Sequence, residues 1–216
     1  MANREQLSQK LFLLKEISGS LNLESIDIKR ELEARFKPYS WFIGLALMGS
    51  NIRGYNTKTS DLDLKIFYDG SKISNTELAR VVKQNTRAIE EAHKFHADKI
   101  SIPYFVDVNF STLEKGIRNP SGRENFKALL VLKDLSGLAT GEKIKEIRKK
   151  IKDIISRLSD QQRQTLGERI VEYAIKEEML GEEKLMQRLK MSEQDMESFW
   201  KKRKSLWERR VSALWT

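Results

Sequence analysis

The sequence predicts an α+β protein in which a small mixed sheet with flanking helices is followed by an α-helical bundle. Two observations lead to this expectation. Short apolar or alternating runs, which are typical of strands, occur only in the first half of the chain. After Pro120 the sequence has no further proline, and its apolar residues recur at helical spacing. We therefore expect two domains, residues 1–120 and residues 121–216, each of a size that supports its own core.

Three helices are expected in the first half. Leucines and an isoleucine at helical spacing predict the first over Glu5–Ile17. The second spans Asp27–Phe36 and ends before Pro38, because a residue that precedes proline disfavours the helical backbone. The third runs from Asn75 to about His96, with Asn75 as the candidate N-cap.

Three strands alternate with these helices. Trp41–Met48 is short, apolar and bounded by a proline and a glycine, which favours a buried strand. Leu62–Tyr68 alternates between apolar and polar residues and predicts a second strand. Ile102–Phe110 predicts a third, with Pro103 near its start, where a missing N–H group matters least.

The second half of the chain is expected to be helical throughout. Ser159 and Ser192 are followed three residues later by Gln162 and Asp195, a spacing typical of capping boxes. The expected helices are Glu124–Leu135, Glu142–Leu158, Asp160–Met179 and Glu193–Trp215.

Composition restricts the classes of function. The 216 residues carry a formal charge of +9 and contain no cysteine, which excludes disulfides, thiolate metal sites and a cysteine nucleophile. The longest apolar run is far shorter than the roughly 20 residues of a membrane span, and no secretory signal is visible. We therefore expect a soluble, cytoplasmic protein with no membrane partner. The basic clusters at 148–150 and 201–204 are either solvated helix faces or a surface for an anionic partner.

The most informative chemistry lies between the first two strands. The first strand ends at Gly49-Ser50, where glycine lets another group approach the backbone and serine offers donors of the kind that hold phosphate oxygens. After ten further residues come Asp61 and Asp63, separated by one apolar residue. Residues i and i+2 of a strand share a face, so the two carboxylates converge and repel each other unless a cation binds them. Hard carboxylate oxygens suit Mg²⁺ or Mn²⁺.

A third carboxylate, Asp107, lies in the third expected strand between two valines. If that strand is adjacent to the second, it brings Asp107 beside Asp61 and Asp63. Three carboxylates can hold two divalent ions about 4 Å apart, one activating an attacking hydroxyl and the other steadying a triphosphate. The pattern predicts phosphoryl transfer by positioning and charge stabilisation.

Gly49-Ser50, the ten-residue spacer, Asp61-Leu-Asp63-Leu and the later Asp107 together resemble the signature of the polymerase-beta-like nucleotidyltransferase superfamily. The resemblance covers about residues 41–110. It implies a palm-like catalytic domain that transfers a nucleoside monophosphate from an NTP to an acceptor hydroxyl, releases pyrophosphate and uses two divalent metals. By the resemblance, the three aspartates are catalytic and bind the metals, and the nucleotide-binding residues are Gly49, Ser50, Arg53, Ser60 and Asn119.

Two groups within the superfamily are similar to this sequence. The Ser-Asp-Leu-Asp-Leu and Val-Asp-Val-Asn-Phe segments are similar to those of non-templated poly(A) polymerases and terminal uridylyltransferases. The chain also resembles compact bacterial nucleotidyltransferases, which pair the same catalytic half with a helical bundle. We expect RNA or tRNA as the acceptor. A small molecule such as an antibiotic, a protein acceptor, or a non-catalytic RNA- or partner-binding module are the alternatives. Tyr55, Tyr104 and Tyr173 are equal candidates for stacking on a base.

Overall fold

Seven helices and four strands make up the part of the chain that the structure, a computed structural model, describes: residues 23–49, 61–95, 99–119, 123–136, 139–180, 183, 186–187 and 190–215. The expected helix Glu5–Ile17 lies outside these ranges, as do Ser50, Arg53, Tyr55 and Ser60. In chain order the elements are α1 (Leu23–Phe36), β1 (Phe42–Leu47), β2 (Leu62–Tyr68), α2 (Asn75–Ala92), β3 (Ile100–Asp107), α3 (Phe110–Arg118), α4 (Arg123–Leu135), β4 (Ala139–Thr140), α5 (Glu142–Ser156), α6 (Asp160–Met179) and α7 (Glu193–Ser212).

The strands form one mixed sheet in the order β3-β2-β1-β4. β1 is antiparallel to both β2 and β4, whereas β2 and β3 are parallel. Parallel neighbours need a long crossover, which α2 supplies between β2 and β3. The expected α+β class with a mixed sheet is therefore confirmed. The boundary at residue 120 stays a prediction; β4, which follows it, pairs with β1.

Side chains are buried on both faces of the sheet. In β2, Leu64 and Ile66 point to one face and Lys65 and Phe67 to the other, and all four are almost completely inaccessible. Full burial of an aliphatic or aromatic side chain is worth about 1.5–3 kcal/mol relative to exposure. The central strand is thus held by packing on both of its sides.

The third strand and its surroundings differ from the expectation. β3 begins at Ile100 and ends at Asp107, and Phe110 begins helix α3, which the sequence pattern did not predict. The side chain of Asn109 caps α3 by accepting a hydrogen bond from the Thr112 N–H. Apolar Val108 and Phe110 continue the alternation of the strand, so the pattern alone extends it too far. β4 was missed because it has only two residues.

Helix ends agree with the sequence where caps are strong. The capping boxes at Ser159 and Ser192 are both present. The N-cap of α2, however, is Ser74 and not Asn75: its hydroxyl accepts from the Glu77 N–H, whereas the Asn75 side chain accepts from the Tyr68 hydroxyl at 2.8 Å. Among the described helices, none is both long and apolar enough to cross a bilayer.

Candidate functional site

The turn after β1 is in direct contact with the second acid of the motif. The Met48 N–H donates to the Asp63 carbonyl at 2.9 Å, which places the turn beside the start of β2. Gly49 follows with φ +64°, a left-handed conformation that favours glycine. A Cβ atom at Gly49 would collide with the Asp63 carboxylate. Glycine is therefore required here both by its backbone conformation and by the carboxylate beside it.

Asp61 and Asp63 stand at the start of β2 with Leu62 buried between them. Asp61 is exposed and Asp63 is half-buried. Strand alternation puts both on the same face, as the sequence predicts. Both line an open groove of about 450 Å³ that is also lined by residues of α2 and β3, among them Lys83, Thr86 and Ser101. The pair suits a Mg²⁺ ion, which is typically bound by one or two carboxylates together with substrate phosphates.

The structure does not bring Asp107 to this pair, in contrast to the expected convergence of the three acids. In the parallel register, Asp63 lies beside Ser101 and Tyr68 beside Asp107. Asp107 is therefore five residues further along the sheet from Asp63, or about 17 Å. Two-metal sites hold their ions only about 4 Å apart. Among the described residues, no group of three or more potential His, Asp or Glu ligands is suited to a metal ion.

The position of Asp107 follows from how β3 is anchored. The buried Glu90 carboxylate accepts from the Ile100 N–H at 2.8 Å and so fixes the start of the strand. Apolar Val106 then lies beside Phe67. At the far end, Asp107 accepts from the Gly70 N–H at 2.8 Å and closes the turn between β2 and α2. In this structure Asp107 holds a turn.

Asn119, the remaining predicted nucleotide-binding residue inside the described ranges, is the C-cap of α3. It is exposed, and its N–H donates to the Lys115 carbonyl at 2.9 Å. Among the predicted site residues that the structure describes, Gly49 therefore contacts Asp63, and Asp61 lies on the same strand face as Asp63. Asp107 lies away from these three residues.

Sequence reasoning missed a buried ionic cluster two residues beyond Asp63. Lys65 contacts Asp134 of α4 at 3.2 Å and Glu177 of α6 at 3.1 Å. Lys133 contacts Asp134 at 3.0 Å and also pairs with Glu177. Each ammonium group thus meets both carboxylates in a closed ring, which we call the ionic quartet. Three of its side chains are at most 2% exposed, and that of Glu177 is 18% exposed.

The quartet is electrically neutral, which allows four charges to be buried together. Burial alone would raise the pKa of Glu177, but Lys133 and Lys65 outweigh it and hold that pKa below its usual value. Burial likewise opposes the charge on Lys133, and Asp134 and Glu177 overcome it, raising the Lys133 pKa. The opposite charges thus favour the ionised form of Glu177 and the protonated form of Lys133.

A signal for the quartet is present in the sequence. Lys65 interrupts an otherwise apolar strand, and Lys133-Asp134 sits between Leu132 and Leu135 within an apolar helix. Charges at core positions are rarely fully buried unless they are paired. The sequence shows that such charges exist, but not which of them meet.

Comparison of the chain with protein-family models, with curated proteins and with solved structures gave no match in any of the three. The resemblance to nucleotidyltransferases therefore rests on the sequence motif.

Proposed function

We propose that this protein is a divalent-metal-dependent nucleotidyltransferase with a palm-like catalytic half. It transfers a nucleoside monophosphate from an NTP to an acceptor hydroxyl. The observation that carries the proposal is the contact between Gly49, in its left-handed turn, and the Asp63 carboxylate. A Gly-Ser turn for phosphates beside a carboxylate pair for a metal is the arrangement that the motif implies.

Within this proposal, Asp61 and Asp63 hold Mg²⁺ or Mn²⁺ together with the NTP phosphates. A divalent metal bound there would neutralise triphosphate charge. Gly49 lets the Asp63 carboxylate approach the backbone of the turn, and Ser50 supplies donors to the phosphate oxygens. The acceptor oxygen forms a bond to the α-phosphorus, the bond from that phosphorus to the bridging oxygen breaks, and pyrophosphate leaves. The acceptor hydroxyl gives up its proton to solvent water.

The second metal of the family mechanism does not fit this structure, because Asp107 lies about 17 Å along the sheet from Asp63. We route no step through Asp107. The same observation favours a second candidate function, a non-catalytic module that binds NTP or RNA on the same fold. Asp107→Asn discriminates between roles for this residue, since asparagine keeps the oxygen that accepts from Gly70 but loses the charge.

We propose RNA or tRNA as the acceptor because of the positive charge on the helices after residue 120. Lys145, Lys149 and Lys152 of α5 are exposed at positions i, i+4 and i+7, so they share one face. Lys201, Lys202 and Lys204 of α7 are exposed as well. Phosphate backbones bind such surfaces by releasing counterions, so binding should weaken steeply as salt rises.

A transfer assay tests the proposal. The protein is incubated with Mg²⁺ and each α-labelled NTP, with total RNA, with protein or with aminoglycosides. We expect label in RNA, dependent on divalent metal. Label in protein or antibiotic alone would redirect the acceptor, and metal-dependent NTP binding without any transfer would favour the non-catalytic module. With Asp107→Asn we expect transfer within a few-fold of wild type. A loss as large as that of Asp63→Asn would place Asp107 in the site and contradict the register described above.

A further inference from the structure

Three aromatic side chains border one surface beside the ionic quartet. Tyr104 on β3 is 52% exposed and Phe126 on α4 is 60% exposed, the former on the edge strand of the sheet. Tyr173 on α6 meets Phe126 edge to face, with ring centroids 5.4 Å apart at 89°. Large exposed aromatics gathered in one place are characteristic of ligand or partner surfaces.

The two tyrosines are joined through the quartet. The Lys65 ammonium lies 5.8 Å from the centre of the Tyr104 ring, and the Lys133 ammonium lies 5.8 Å from the centre of the Tyr173 ring. Both lysines contact Glu177, so the rings lie over a single buried network. Burial and the nearby Glu177 carboxylate raise the pKa of Tyr173 to about 12, and the Tyr104 hydroxyl contributes to the same shift. Tyr173 is therefore neutral at physiological pH.

This surface lies close to the acidic pair. Tyr104 is the register partner of Lys65, and Lys65 is two residues from Asp63 on the same strand face. The Cα atoms of Tyr104 and Asp63 are therefore roughly 8 Å apart. In a nucleotide, the sugar separates the base from the phosphates, so a separation of this size allows the base to lie at Tyr104 while the phosphates lie at Asp63. Because the quartet below the rings is neutral, it does not add negative charge that would repel a triphosphate.

We propose that Tyr104 and Tyr173, with Phe126 beside them, form a stacking surface for the nucleobase of an NTP whose phosphates lie at Asp61 and Asp63. The inference rests on the proposed function and extends it to the base. All four bases have π-faces, and stacking on aromatic side chains tolerates any of them. The surface therefore contributes affinity for nucleotides as a class, and the choice among the four bases is made elsewhere.

The test compares ligands with and without a base. Equilibrium binding of Mg·ATP, Mg·tripolyphosphate and a short single-stranded RNA is measured for wild type, Tyr104→Leu and Tyr104→Phe. For Tyr104→Leu we expect the Kd of ATP to rise about 5- to 150-fold, the range that loss of one base stack gives. Tripolyphosphate binding should be unchanged. Tyr104→Phe keeps the ring and should bind ATP like wild type. Phe126→Leu, at the more exposed position, provides a second variant with the same expected direction.

Three results would overturn the inference. Equal losses for ATP and tripolyphosphate would mean general damage to the site. Unchanged ATP binding in Tyr104→Leu and Phe126→Leu would mean that the base lies elsewhere. A loss confined to the RNA would assign the surface to the acceptor. Nucleotidyl transfer is measured alongside: ring-dependent ATP binding without transfer supports the stacking surface and counts against the enzyme. Transfer with an unchanged KM for NTP in Tyr104→Leu supports the enzyme and counts against the stacking surface.

Discussion

Gly49 illustrates how one residue sets the geometry of the candidate site. Its φ of +64° is strained for residues with a Cβ atom, and the space where that atom would lie is taken by the Asp63 carboxylate. The two constraints are separable, because the first belongs to the backbone and the second to the neighbour. A substitution at Gly49 should therefore depend on what occupies position 63.

We predict that Gly49→Ala destabilises the protein by about 2–4 kcal/mol, part from the left-handed backbone and part from the collision with Asp63. In a background of Asp63→Ala the collision is removed, and the same change should cost only about 1 kcal/mol. Chemical denaturation of wild type, the two single variants and the double variant gives the coupling free energy between positions 49 and 63. Costs that are equal in both backgrounds would contradict the contact between Gly49 and Asp63.

At the scale of elements, β2 connects the candidate site to the helices of the second half. Its first residues carry the acidic pair, and Lys65, two residues on, pairs with α4 and α6 through the quartet. Breaking one partner of a buried ion pair leaves an uncompensated charge, whereas removing a matched pair leaves the site neutral. The orientation of α4 and α6 over β2 is thus set partly by charge.

Lys65→Met should destabilise the protein by about 3–5 kcal/mol, because Asp134 and Glu177 then share one cation. Adding Asp134→Leu removes the excess charge and should recover most of that loss, since Lys133 and Glu177 remain as a pair. Thermal or denaturant unfolding of the single and double variants measures both the loss of stability and its recovery. If the double variant is as unstable as the sum of the two single variants, the charges are not coupled.

The quartet also predicts a pH dependence. The pKa of Glu177 in the folded protein is lowered below 4.5, so the unfolded chain takes up this proton first as the solution is acidified. The stabilisation is therefore present above about pH 5 and is lost as pH falls through the folded pKa. The difference in unfolding free energy between wild type and Glu177→Gln should shrink as the pH falls below about 5. A difference that stays constant over that range would show that Glu177 does not provide the acid sensitivity.

In the molecule as a whole, the elements that depend on local sequence patterns were predicted best. Strand β2 and helix α6 begin and end where alternation and capping place them. The proximity of Gly49 to Asp63 can also be predicted from the sequence, because β1 and β2 are consecutive strands that pair with each other. The parallel register of β3 against β2 cannot be predicted in this way. It depends on Glu90, on apolar neighbours and on a crossover helix, so Asp107 could not be placed from its own surroundings.

Long-range pairing explains the other differences. The ionic quartet joins residues up to 112 positions apart, and β4 becomes a strand only because β1 offers it an edge. Neither the quartet nor β4 produces a periodic pattern of apolar residues in the sequence, so neither could be predicted from it. The sheet and the second half of the chain are therefore linked both by β4 and by the quartet, and a substitution in α4 or α6 can reach the strand that carries the acidic pair.

The most direct test of the central claim is the rate of Mg²⁺-dependent nucleotidyl transfer by wild type, Asp61→Asn, Asp63→Asn and the control Asp153→Asn, whose carboxylate is exposed on α5. We predict that each site variant lowers the rate by at least ~100-fold, the scale of losing one electrostatic contact to the transition state. Asp153→Asn should transfer like wild type. Transfer by Asp61→Asn and Asp63→Asn at the wild-type rate would contradict the assignment of the metal and nucleotide to the start of β2.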